Sequence, residues 1–172
     1  MAWMGLAHGR VRWPVIDSSP DGADAAVRVS QDVTTLIGLS SDYDAIDLAL
    51  QSIQPTDGQT WISGGLESAA DILVGARADA MRVILLLTDG EQTDDFGGSE
   101  AAIATADEVK AKGNELFAVG FGTAELSTLE AMASLPIATH AFLGDNVQEV
   151  APPCGPTVAD NRDHHCLCGP YT

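Results

Sequence analysis

Arg82-Val83-Ile84-Leu85-Leu86-Leu87-Thr88-Asp89-Gly90 is the stretch that decides the fold. Five consecutive aliphatic residues, Val83 to Leu87, run directly into a hydroxyl, a carboxylate and a turn glycine. A continuous apolar run this short, β-branched at its start, fits a strand buried on both faces. Such a strand is central in a parallel sheet. The carboxyl ends of strands in open α/β sheets are where ligand sites form. Asp89 is therefore expected at the mouth of a crevice, on rigid backbone.

Outward from this strand, helical and extended patterns alternate. Upstream, Ser63–Ala76 places Leu66, Ala69, Ala70 and Leu73 on one helical face. Before it lies a polar loop, Thr56-Asp57-Gly58-Gln59-Thr60. Residues 42–53 form another amphipathic helix, with Ile46, Ala49, Leu50 and Ile53 at helical spacing. Ser41-x-x-Asp44 resembles a capping box for it, and Pro55 closes it. Ala25–Ser30 and Val33–Leu39 read as a hairpin turning at Gln31-Asp32. Downstream, Glu91–Gly98 reads as a flexible acidic loop. Ser99 caps a helix to Lys112 that Gly113 stops. Leu116–Val119 is a second buried strand, ending at Gly120-Phe121-Gly122. Ser127-x-x-Glu130 opens a short helix, and His140–Leu143 is a last strand. Asn146–Val150 has room for one helical turn. Such alternation predicts an α/β domain.

The 172 residues suggest one domain. With 8 basic against 25 acidic residues, the formal net charge of −17 argues against nucleic acid or an anionic membrane as partner and favours cations. No stretch is long and apolar enough to span a bilayer. The opening residues, MAWMGLAHGR, lack the pattern of a signal peptide. Cys154, Cys166 and Cys168 all lie near the end, so the body of the fold cannot depend on disulfides. Three segments follow: an irregular or degenerate stretch at 1–24, an α/β domain at 25–151, and a Pro/Gly/Cys-rich tail at 152–172. In the first, Val15-Ile16-Asp17 is a candidate short strand.

Four pieces, in order, resemble the von Willebrand factor type A (vWA, integrin I-like) family. AAVRVSQDVTTLIGLSSDYDAIDLAL resembles its second and third strands and the helix after them. DGQTWISGGLESAADIL resembles its glycine–threonine loop and following helix. RVILLLTDGEQTDD resembles its central strand and aspartate loop, and GNELFAVGFG with LEAMAS and HAF its closing strand–helix–strand. The resemblance implies a three-layer Rossmann-like fold, with a mostly parallel central sheet, one antiparallel edge strand and helices on both faces. It also implies a metal-ion-dependent adhesion site, MIDAS, at the top of the sheet. Thr60 matches the family's threonine and Asp89 its aspartate. Asp17 and Ser19, in Asp17-Ser18-Ser19-Pro20-Asp21, are the candidates for its Asp-x-Ser-x-Ser loop, with Asp21 where the second serine belongs. Only Ser18–Asp24 separates this loop from the hairpin. Parallel neighbours normally need a dozen or more connecting residues. Seven extended residues reach ~25 Å at most. The first strand is therefore expected to be missing or filled awkwardly by residues 11–17, with the N-terminal strand and helix of the family incomplete.

Hard oxygen donors of this kind suit Mg²⁺, with Mn²⁺ or Ca²⁺ as alternatives. The resemblance implies a non-catalytic protein-binding or adhesion module whose cation bridges to an acidic side chain of another protein. The alternative is a metal-dead interaction domain or a truncated fragment. The bland readings are a turn aspartate at Asp89, an N-cap at Thr60, an accidental turn match at Asp17 and Ser19, and a solvated loop at Asp94 and Asp95. Nothing resembles a phosphate-binding loop or a serine-nucleophile elbow, so no enzyme is expected. His164-His165-Cys166-x-Cys168 fits no usual zinc spacing, and His8 and His140 are given no role. An extracellular location is expected if the chain is part of a longer secreted protein.

Overall fold

The structure is a computed structural model. It describes the backbone of residues 2–8, 11–12 and 15–16, and residues 22–54 and 58–144 in full. A six-stranded sheet has the order β5-β4-β1-β6-β7-β8. Its strands are β1 (Ala2–His8), β4 (Asp24–Val29), β5 (Val33–Ser40), β6 (Arg82–Thr88), β7 (Glu115–Phe121) and β8 (Ala141–Gly144). β2 (Val11–Arg12) and β3 (Val15–Ile16) form a separate two-stranded ladder. The helices are α1 (Tyr43–Gln51), α2 (Ile62–Leu73), α3 (Gly98–Ala111) and α4 (Leu126–Met132).

The expected α/β class is the observed one. β6, β7 and β8 are parallel neighbours, and β4–β5 is an antiparallel hairpin at the sheet edge. The difference lies at β1. It fills the slot between β4 and β6 and pairs antiparallel with both. The strand in that slot is thus residues 2–8, whereas the sequence offered an empty slot or residues 11–17. The reason is connection length. Between β1 and β4 the described residues are the β2–β3 ladder, Val11–Arg12 with Val15–Ile16, and the two residues before β4. A reversed β1 needs no crossover helix, because it delivers the chain to the end of the sheet where β4 begins.

The core lies between the sheet and α2, α3 and α4. Ile62, Leu66, Ala69, Ala70 and Leu73 of α2 pack with Val27 and Val29 of β4, Ile84 and Leu86 of β6, and Leu116 of β7. Each large aliphatic side chain removed from water contributes about 1.5–3 kcal/mol. α4 lies so close to β7 that a Cβ on Gly120 would stand 2.5 Å from Leu129 Cδ1 and 2.8 Å from the Ala124 Cβ.

Two local expectations change. α1 is capped by Asp42, whose Oδ1 accepts from Ala45 N at 3.0 Å, so the cap lies one residue beyond Ser41 and, with Ala45 at the third helical position, forms no reciprocal box. α3 begins at Gly98, and the Ser99 hydroxyl donates to the Glu91 carboxylate instead of capping. α4 starts after Glu125 with no side-chain cap. His140 has a structural role. It is buried and stacks on Phe117 at 4.2 Å, with Nε2 2.7 Å from the Glu115 carboxylate and Nδ1 3.0 Å from the Pro136 carbonyl. It ties the start of β7 to the turn before β8.

Candidate metal-ion site at the top of the sheet

Val29 at the end of β4 and Thr88 at the end of β6 both pair with Ala2, so these two strands finish at the same edge. Three loops meet there. The first runs from Gly58 to Trp61, ahead of α2. Trp61 N donates to the Ser30 carbonyl at 3.0 Å, which fixes the loop against the end of β4. The second follows β6 from Asp89 to Gly97. It joins the first through a reciprocal pair: Thr60 N donates to Thr93 Oγ1 at 2.9 Å and Thr93 N to the Thr60 carbonyl at 3.0 Å. The third follows β7. Thr123 donates to the Asp89 carbonyl from both its N and its Oγ1, each at 3.0 Å. Gly122, at φ +66°, allows that approach; a Cβ there would lie 3.2 Å from the same carbonyl.

Thr60 and Asp89 thus sit on two hydrogen-bonded loops at the carboxyl end of the sheet. Thr60 is buried, and its backbone N–H is held by Thr93 Oγ1. The Asp89 backbone is held by strand and loop together. Asp17 and Ser19 lie outside the described residues. β1 ends at the opposite edge from Asp89, with His8 opposite Arg82. β4 also begins there, since Ala25 and Ile84 share Leu6 as a partner. The two described flanks of the Asp17 segment that lie in the main sheet are therefore both at the lower end.

The sequence did not single out Gln92, and it is the hub of the loop. Its buried amide accepts from Ser63 N at 2.6 Å and donates to the Phe96 and Gly98 carbonyls at 2.8 and 3.0 Å. All three bonds reach backbone, so one side chain fixes the start of α2, a short 3₁₀ turn at Asp94–Phe96 and the start of α3. Glu91 accepts from Glu125 N at 2.8 Å, joining the second and third loops. Trp61 stacks on Phe96 with ring centroids 5.0 Å apart. Glu91–Gly98 is thus ordered by its own polar side chains, where composition alone read a flexible loop. Asp95 accepts from the Gln59 amide. A polar residue flanked by small backbone turns was the available signal, but nothing in the sequence distinguishes a buried amide from a solvated one.

The donor chemistry of Thr60 and Asp89, one hydroxyl and one carboxylate, fits a hard divalent cation that keeps several waters. Among the described residues no group of three or more His, Cys, Asp or Glu is placed to hold a metal.

A family model for the von Willebrand factor type A domain matches residues 16–152. The chain belongs to the vWA family. Matrilin-3 of Mus musculus is 30% identical over 141 residues, covering 74% of this chain and 28% of that protein. A Mus musculus protein named for sushi, vWA, EGF and pentraxin domains is 33% identical over 92 residues, 54% of this chain and 2% of its own length. The vWA chain thus spans under a third of these relatives. Among solved structures, proximal thread matrix protein 1 of the mussel byssus, in a form described as having a zinc-occupied MIDAS motif, superposes with a TM-score of 0.62. It is 27% identical and covers 74% of this chain and 32% of that one. vWA domains are typically adhesion and protein-binding modules, and those of matrilins and similar proteins are generally non-enzymatic. No helix among the described residues is long and apolar enough to cross a membrane.

Proposed function

We propose that this vWA domain is a non-catalytic protein-binding module that works through a partial MIDAS. Thr60 and Asp89 would hold a Mg²⁺-type cation; Asp17 and Ser19 are not counted as donors, because the strands flanking their segment lie at the opposite end of the sheet. The bound ion would supply an open position for an acidic side chain of a partner protein. The observation that supports this most is the reciprocal Thr60–Thr93 pairing, which brings the threonine loop beside the loop led by Asp89. Few direct anions favour the incoming carboxylate, because a cation with little charge neutralised by its own protein stays electrophilic. The mussel relative shows that the motif on this fold accepts a divalent ion. The same relative is named a matrix protein, which supports an extracellular setting for this chain.

Mg²⁺ or Mn²⁺ at millimolar concentration is expected to raise the melting temperature, since an ion bound only by the folded state adds stability as RT ln(1 + [L]/Kd). At 100-fold excess over Kd the gain is about 2.7 kcal/mol. Asp89→Ala should remove the rise and leave the metal-free melting temperature within a few degrees. A wild-type melt indifferent to Mg²⁺, Mn²⁺ and Ca²⁺ would leave the metal-dead reading in its place.

A further inference from the structure

We propose that the cavity at the foot of the sheet, between the end of α2 and the starts of β6 and β7, binds a small monocarboxylate with an apolar body, its carboxylate seated on Arg82 and Arg77. The cavity has a volume of about 430 Å³, within the range of small-molecule sites. Arg82 opens β6 and Asp89 follows its end, so a strand of seven residues, about 23 Å, separates this cavity from the cation site. Arg82 Nη2 donates to the Lys112 carbonyl at 2.7 Å. Gly113, at φ +82°, makes room for that contact; a Cβ there would lie 3.1 Å from Nη2. A guanidinium carries five N–H donors. The other Arg82 donors have no partner, and the residue no ion pair, among the described residues. Arg77 is exposed and reaches only Asp79, at 3.9 Å. By contrast, Arg28 and Lys110 reach Asp32 and Asp107 at 3.4 and 3.0 Å. Glu115 also lines the cavity, but its Oε1 lies 2.7 Å from His140 Nε2 and pairs with neither arginine. In a chain with 25 acidic residues against 8 basic, two arginines lining one cavity with so little answering charge point to an anion from outside.

The walls select the kind of anion. A guanidinium holds a carboxylate through two parallel N–H bonds. Leu73, Val74 and Met81 line the rest, and Val74 and Met81 are 75% and 50% exposed. A hydrocarbon body laid on them removes that surface from water. An inorganic oxyanion would leave it uncovered. The net −17 weighs against a polyanion, because every charge along it meets the repulsion of the whole protein. A single charge meets it once, and charges beyond about 8–10 Å are screened at physiological salt.

Octanoate, below its micelle concentration, titrated into the isotope-labelled full chain is the test. Amide shifts should move at residues 73–82 and at Gly113 and saturate as one site. Octanol has the chain without the charge, and inorganic sulfate the charge without the chain. Each should bind about tenfold more weakly, as expected for the loss of one charge-assisted hydrogen bond or of its apolar equivalent. Arg77→Met should weaken octanoate by a similar factor at an unchanged melting temperature, because Arg77 is exposed. Arg82→Lys keeps the charge without the planar fork and should bind more weakly than wild type. Asp89→Ala should bind octanoate as wild type does, which separates this site from the cation site. Absence of binding overturns the proposal. So does octanol or sulfate as tight as octanoate, or wild-type affinity in both arginine variants.

Discussion

At the scale of single residues, the top of the sheet depends on backbone groups satisfied by a few side chains. Gln92 is the most connected of these. Its amide answers one N–H and two carbonyls in a buried setting, so Gln92→Leu leaves three backbone groups without their partner. Each such loss costs about 1–3 kcal/mol when water cannot replace the bond. Neighbouring losses in one loop are not additive, and a total of about 2–4 kcal/mol in urea unfolding is expected. Gln92→Glu keeps the acceptor for Ser63 N but cannot donate to Phe96 or Gly98, so it should recover only part of the stability. Equal stability in all three proteins would show that the loop does not need this hub. Asp89 was legible as a candidate because it ends a strongly apolar run. Gln92 was not, because its importance comes from residues up to 29 positions away.

At the scale of elements, periodicity placed the α-helices found among the described residues, and local chemistry placed their ends less well; the helical turn expected at Asn146–Val150 lies outside the described residues. Helix α1 was found from Ile46, Ala49 and Leu50, yet its cap is Asp42 and not Ser41. Both residues are good caps. The choice depends on which one the chain presents to the Ala45 N–H after leaving β5. Asp42→Ala is expected to cost about 1 kcal/mol, against near-zero for Ser41→Ala, as measured by chemical denaturation. Gly120 illustrates a constraint of another kind. Gly120→Ala forces a Cβ into Leu129 and Ala124, and helix α4 must shift away from β7. Overpacking of this sort costs about 1–3 kcal/mol. The expected readout is a lower melting temperature with unchanged secondary structure.

At the scale of the whole molecule, the reversed β1 completes the sheet. Among the described residues it is the strand that bridges the β4–β5 hairpin to the parallel β6–β7–β8 group. A chain beginning at residue 9 should therefore lose cooperative unfolding, because β4 and β6 would each present an open edge to the gap. Near-native melting of that shortened chain would show that the slot tolerates being empty. The −17 charge acts at this scale too, disfavouring polyanionic partners and favouring cations.

The sequence by itself determined the α/β class, the central strand, the hairpin, the helices and the candidacy of Thr60 and Asp89. The elements follow from hydrophobic period and turn chemistry, which act over a few residues, whereas the candidacy of Thr60 and Asp89 as metal ligands is what the vWA resemblance implies. The tertiary structure decided the rest: which segment lies between β4 and β6 and in which direction, that the Thr60 and Asp89 loops are hydrogen-bonded together, and that β5 is left open at the edge. Those outcomes come from strand pairing between residues far apart in the chain, where connection length and backbone hydrogen-bond satisfaction select among arrangements that the local pattern permits equally.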